Sequence, residues 1–152
     1  MSSYLTFYLV PKKTKTKYDK DDKEIEIKLT QEPLSLLTYC RSSDIYQVYY
    51  ENLNPAYCGN EEKYTELTYQ DATDVRNTYN EEYVKATDKR LQVLYKILRE
   101  NYNSDIAEDI LSTEEHLSEC KSTLELLNTI CAIVYEVTEG YGDFEKVLIN
   151  ID

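Results

Sequence analysis

Apolar and polar positions divide the chain into an outer β-type frame and a long helical middle. Residues 4–10, YLTFYLV, are mostly aromatic, β-branched or leucine and stop at Pro11, which predicts a strand. Residues 24–29, EIEIKL, alternate polar and apolar, with Ile25, Ile27 and Leu29 on one face of a half-buried strand. The charged segment from Lys12 to Lys23 separates them, so the two strands are expected to form one long hairpin. After Pro33 the run LSLLTYC (34–40) reads as a third strand or as a first helical turn. Ser42 or Ser43 can then cap a helix from Asp44 to about Leu53, with Asp44 in the first turn where negative charge is favoured. Asn54-Pro55 is expected to end that helix, and residues 54–67 read as loop.

From Thr68 the period changes. Thr68-x-x-Asp71 resembles a capping box, and no Gly or Pro follows until after Tyr102, so one helix of roughly 50 Å is expected. Its second half carries two adjacent apolar stripes: Tyr83, Ala86, Val93, Ile97, and Val84, Leu91, Leu94, Leu98. Its first half is mostly polar and offers Ala72, Val75 and Tyr79 for contact. Asn103-Ser104 breaks the pattern, with Ser104 placed to cap a short segment ending at Leu111. Ser112-x-x-Glu115 is a capping box and predicts the start of another long helix, reaching about Glu139. The stripe of that helix is Leu117, Cys120, Leu124, Leu127, Cys131 and Val134, widened by Leu126, Ile130, Ile133 and Val137. Gly140 provides a stop, and FEKVLINI (144–151) reads as a final strand.

These elements predict one α+β domain over residues 1–152. Strands and a short Tyr-rich helix occupy 1–53, a long antiparallel helical hairpin 68–139, and the C-terminal strand 144–151. An isolated two-stranded hairpin is marginal in water, so the C-terminal strand is expected to join the N-terminal pair in one small antiparallel sheet.

Composition narrows the function. The formal charge is −12, which repels nucleic acid and attracts cationic partners. Residues 1–23 hold six lysines against three aspartates, a net of +3, leaving −15 for the rest. The basic run KKTKTK (Lys12, Lys13, Lys15, Lys17) reads as a solvated loop or hairpin tip, or as a contact for an acidic partner or phosphate. The start MSSYLTFYLVPKK lacks the basic, apolar and small-residue regions of a signal peptide, and no window approaches a membrane span. Cys40, Cys58, Cys120 and Cys131 follow no zinc or C-x-x-C spacing; reduced, buried thiols and a cytoplasmic setting (host cytoplasm, or a virion for a phage protein) are expected.

Chemistry-bearing patterns are few. The lone histidine, His116, stands in the first turn of the predicted last helix, four residues before Cys120. A Cys–His pair is conceivable there, but nothing marks an oxyanion hole. The three glycines form no phosphate loop, and the acidic pairs lack metal-site spacing. No catalytic residues, cofactor or metal are expected. The chain has 16 Tyr, two Phe and no Trp; part of that bias follows from an AT-rich codon usage, which fits a phage or mobile element. Tyr46, Tyr49 and Tyr50 fall on one helix side, with Tyr57 beyond them, and tyrosine suits both half-buried packing and contact surfaces. The expected function is therefore a non-enzymatic interaction or assembly protein, with a protein partner or another copy of itself, contacted through these tyrosines and the lysine run. The alternative is an acidic inhibitor that imitates nucleic acid in the basic groove of an enzyme.

Overall fold

A computed structural model describes residues 3–57 and 65–151. Its frame is a four-stranded antiparallel sheet of order β4-β1-β6-β5, built from β1 (Tyr4–Pro11), β4 (Leu34–Cys40), the two-residue β5 (Thr65–Glu66) and β6 (Phe144–Ile151). Leu5 pairs with Tyr39 on one side and Ile151 on the other, and Phe7 likewise with Leu37 and Ile149. The chain's first and last strands are therefore neighbours, as the small antiparallel sheet required.

The expected hairpin between residues 4–10 and 24–29 does not form. β1 has both edges occupied by β4 and β6, which offer it apolar partners. Residues Glu24–Lys28 (β3) pair instead with Thr14–Tyr18 (β2), inside what read as a connection. This second, two-stranded sheet turns at Asp19, whose Oδ1 accepts from the amides of Asp21 at 2.8 Å and Lys23 at 3.0 Å. Asp22 takes the left-handed conformation there (φ 57°), which Asp tolerates better than most residues. Ile25 is exposed and Ile27 half-buried, so the alternation in EIEIKL buries little. The hairpin is tied to the body near Gly140–Asp143: Lys12 Nζ donates to the Gly140 carbonyl at 2.7 Å, and Lys15 Nζ lies 3.1 Å from Asp143 Oδ2.

Helix α1 (Asp44–Tyr57) starts where the serine predicted: Ser43 Oγ accepts from the Tyr46 amide at 3.2 Å. It continues through Asn54-Pro55 rather than ending there. The long helix begins at its predicted cap, with Thr68 Oγ1 accepting from the Asp71 amide at 3.1 Å. It comprises α2 (Tyr69–Tyr79), a π-helical segment (Asn80–Lys85) and α3 (Ala86–Glu100). The π segment has a cause in the sequence. The buried positions Ala72, Val75 and Tyr79 step by three and four, but the next, Val84, comes five later. One added residue in the turn keeps Val84, Leu91 and Leu94 on the same side as Tyr79.

The break at Ser112 is absent. Helix α4 (Ser104–Thr138) is one 35-residue element, about 52 Å long. Asn103, not Ser104 or Ser112, is its cap, accepting from the Asp105 amide at 2.8 Å. The Ser112-x-x-Glu115 signal loses because Ile106, Ile110, Thr113 and Leu117 continue the inward stripe across it; Ile110 and Leu117 are buried. Gly140 (φ 81°) ends α4 as expected, with Tyr141 N donating to the Glu136 carbonyl at 2.9 Å and Gly140 N to Val137 at 3.1 Å.

The helices cover one face of the sheet. Leu5, Phe7, Val147, Ile149 and Ile151 point into a core shared with Leu127, Ile130, Val134, Val75 and Tyr49. The result is the two-layer α+β arrangement with a long antiparallel helical hairpin.

The two caps give opposite expectations on mutation. Thr68→Ala should cost about 1 kcal/mol, whereas Ser112→Ala, exposed inside a helix, should be neutral or slightly stabilising. Urea-unfolding midpoints of the two variants check this; a large loss at Ser112 would restore the expected break.

Candidate functional site

The tyrosine-rich stretch is mainly core. Tyr49 is fully buried and meets Phe7 edge-on, ring centroids 5.2 Å apart at 82°. Tyr46 is buried too, and stacks on half-buried Tyr50 at 5.8 Å. Tyr46 and Tyr49 are thus enclosed within the chain instead of being presented to a partner. Tyr50 has its ring at the margin, and Tyr57 is the last position of α1. The lysines divide likewise. Lys12 and Lys15 hold the β2–β3 hairpin against the turn before β6, while Lys13 and Lys17 are exposed.

What the fold does assemble is a polar seam where α1, the π segment and α4 meet. A pocket of about 100 Å³ is lined by Asp44 and Glu51 from α1, Tyr79 and Tyr83, and His116, Glu119 and Cys120 from α4. His116 also borders a more open groove of about 340 Å³ between α3 and α4, where Ala86, Arg90, Asp109 and Ser112 stand. The rings of Tyr79 and Tyr83 stack at 4.8 Å and 18°, an arrangement that follows from their four-residue spacing beside the π segment.

Polar groups chain through this seam. His116 Nε2 lies 3.7 Å from Cys120 Sγ. The buried Tyr79 ring lines the same pocket as Cys120, and Thr123 Oγ1 donates to Asp44 Oδ2 at 3.4 Å. Buried Cys120, Tyr79 and Thr123 thus lie between exposed His116 and exposed Asp44. Burial pushes the Tyr79 phenol well above its ordinary value, with Thr123 acting the other way. Tyr83 is raised first by the Glu51 carboxylate and then by burial.

The His–Cys pair is real in space, but its setting differs from the expected one. His116 is three turns into α4 instead of in a first turn, beyond the reach of the helix's N-terminal field. Cys120 is 3 % exposed. Among the described residues no three of His, Cys, Asp and Glu come together as metal ligands. The described residues include no helix long and apolar enough to cross a membrane.

A second feature lies along α3. Of its two predicted stripes, Val84, Leu91 and Leu94 are buried toward α4, and Leu98 packs partly against the core. The other, Tyr83, Ala86, Val93 and Ile97, is exposed, with Val93 57 % accessible. The sequence signal for both the seam and the stripe was the five-residue step at Tyr79–Val84, which fixes the rotation of α3. Compared with known proteins, the chain matches no family model, no characterised protein and no solved structure.

The raised Tyr79 phenol gives a pH dependence with a defined sign. A folded-state pKa above the ordinary 10.0 means the fold prefers the neutral phenol. That contribution is complete below pH 10 and is lost as pH rises above it. Tyr83, Tyr95 and Tyr39 are raised as well and act in the same window. Tyr79→Phe should decline less steeply above pH 10, because it removes the buried phenol. Urea midpoints followed across that window are the check; an unchanged slope would contradict the burial of this phenol.

Proposed function

We propose that this chain is a non-enzymatic interaction or assembly protein, and that it meets a protein partner along the outward stripe of α3. The observation that carries this reading is the pair of apolar stripes on one helix. α3 packs against α4 and its own π segment, which engages one stripe. Of the other, Tyr83 and Ala86 border the clefts toward α1 and α4, while Val93 and Ile97 are left exposed. A helix with two apolar faces has use for two partners, and the chain itself supplies one.

The net charge of −12 supports a second reading, in which the carboxylates imitate nucleic acid and fill a basic groove. The exposed cations Lys89, Arg90, Lys96 and Arg99 interrupt the carboxylates along α3, so the contact-surface reading is preferred. The two differ in salt response: a charge-mimic contact weakens as salt screens it, and an apolar one persists.

The test is affinity capture from native extract, with nuclease and at two salt concentrations, using the wild type and Val93→Ser/Ile97→Ser. The double variant should lose a stoichiometric partner by more than about tenfold while its melting temperature holds, because surface changes of this kind move stability little. A partner retained in full by the double variant would contradict the assignment of the stripe, and loss at high salt would favour the inhibitor.

A further inference from the structure

We propose that the chain self-associates through the outer edge of β4, forming a two-fold dimer whose two sheets become one. The proposal rests on the reading of this protein as an assembly protein and names a surface distinct from the α3 stripe. β4 is a terminal strand of the four-stranded sheet, and no described element pairs with its outer edge. Exposed edges in natural proteins are usually short, charged or interrupted by proline. This one is seven residues long, LSLLTYC, without a charged residue, in a chain of net charge −12. Its side chains are also incompletely covered: Leu34 is 52 % and Leu36 37 % exposed. The helices shelter the centre of the sheet and leave this margin open.

The occupant follows from register and charge. Phe7 pairs with Leu37 and Tyr8 with Ser35, so Leu36 is the extra residue of a bulge. Leu34, Leu37 and Tyr39 consequently share the helix-side face with Leu9, Phe7 and Leu5, while Ser35, Thr38 and Cys40 take the other face. An antiparallel pairing of β4 with a second β4 that keeps like faces together sets Leu34 beside Tyr39 and Ser35 beside Thr38 of the second copy. The same register sets Glu32 beside Arg41, and the two-fold axis repeats that opposite-charge contact. Glu32 and Arg41 are both exposed and flank the uncharged run at its two ends. The edge is therefore complementary to itself, as a two-fold interface must be, and the backbone contact is strand addition of the kind sheets use to bind extended segments. Leu36 of each copy stands next to the axis.

The experiment is sedimentation equilibrium of the full chain under reducing conditions, for the wild type and three variants. The wild type is expected to be a dimer. Leu36→Lys puts two like charges at the axis and is expected to give a monomer with an unchanged circular-dichroism spectrum. Glu32→Arg is expected to weaken the dimer about tenfold, since two attractive cross-strand contacts become repulsive. Glu32→Arg/Arg41→Glu is expected to restore it. If Leu36→Lys fails to fold, the charge exchange decides alone. A monomeric wild type, a dimer that survives Leu36→Lys, or an exchange without rescue overturns the proposal. None of these outcomes touches the α3 stripe: a monomer that still captures its partner through Val93 and Ile97 leaves the assembly reading standing. A dimer that captures nothing does the reverse.

Discussion

β1 is hydrogen-bonded on both sides, and the rest of the architecture depends on that. Its partners are β4, which follows within forty residues, and β6, which arrives at the opposite end of the chain. The β1–β6 ladder spans nearly the whole sequence, so it closes only after the helical hairpin has turned back. Once closed, it aligns Leu5, Phe7, Val147 and Ile149 as a continuous apolar surface for Tyr49 and for α4. The ordering of so long a loop costs entropy that grows only slowly with its length, and burial of that surface offsets it. Displacement of residues 24–28 to a separate hairpin follows from the same fact, since β1 has no free edge to offer.

Much of the fold was legible in the sequence, because its strongest signals are local and agree with their surroundings. YLTFYLV, FEKVLINI, the Thr68 cap and the Gly140 stop occupy the elements they predicted. The failures have a common origin in tertiary packing. Ser112-x-x-Glu115 is a sound cap in isolation, yet Ile110 and Leu117 gain more from an unbroken helix than a cap supplies. Thr14–Tyr18 carries little hydrophobic signal, and it is a strand only because β3 lies across from it. Strand partners in general were out of reach, since alternation fixes faces and says nothing about neighbours.

The candidate sites were less legible. Tyrosine by type suits both half-buried packing and contact, and here Tyr46 and Tyr49 serve as core aromatics with their rings enclosed. The π segment that rotates α3 was visible as a five-residue step among apolar positions, a weaker mark than any motif. Through that rotation, one stripe of α3 seals against α4, and Val93 and Ile97 of the other are left exposed. The same turn brings Tyr79 and Tyr83 to Cys120 and His116. Local helix geometry, with no recognisable motif, thus sets both the polar seam and the surface available for a partner.

The hairpin beyond the sheet rests on a single seam between α3 and α4, and the sheet rests on β1. Native-state hydrogen exchange, resolved by residue, tests that hierarchy most directly. Amides of Leu5–Val10 and Val147–Ile151 should exchange only with global unfolding, while residues 86–111 should open at lower free energy. Exchange of β1 and β6 ahead of an intact helical hairpin would contradict the account, because the helices would then hold the fold without the pairing of the chain's two ends.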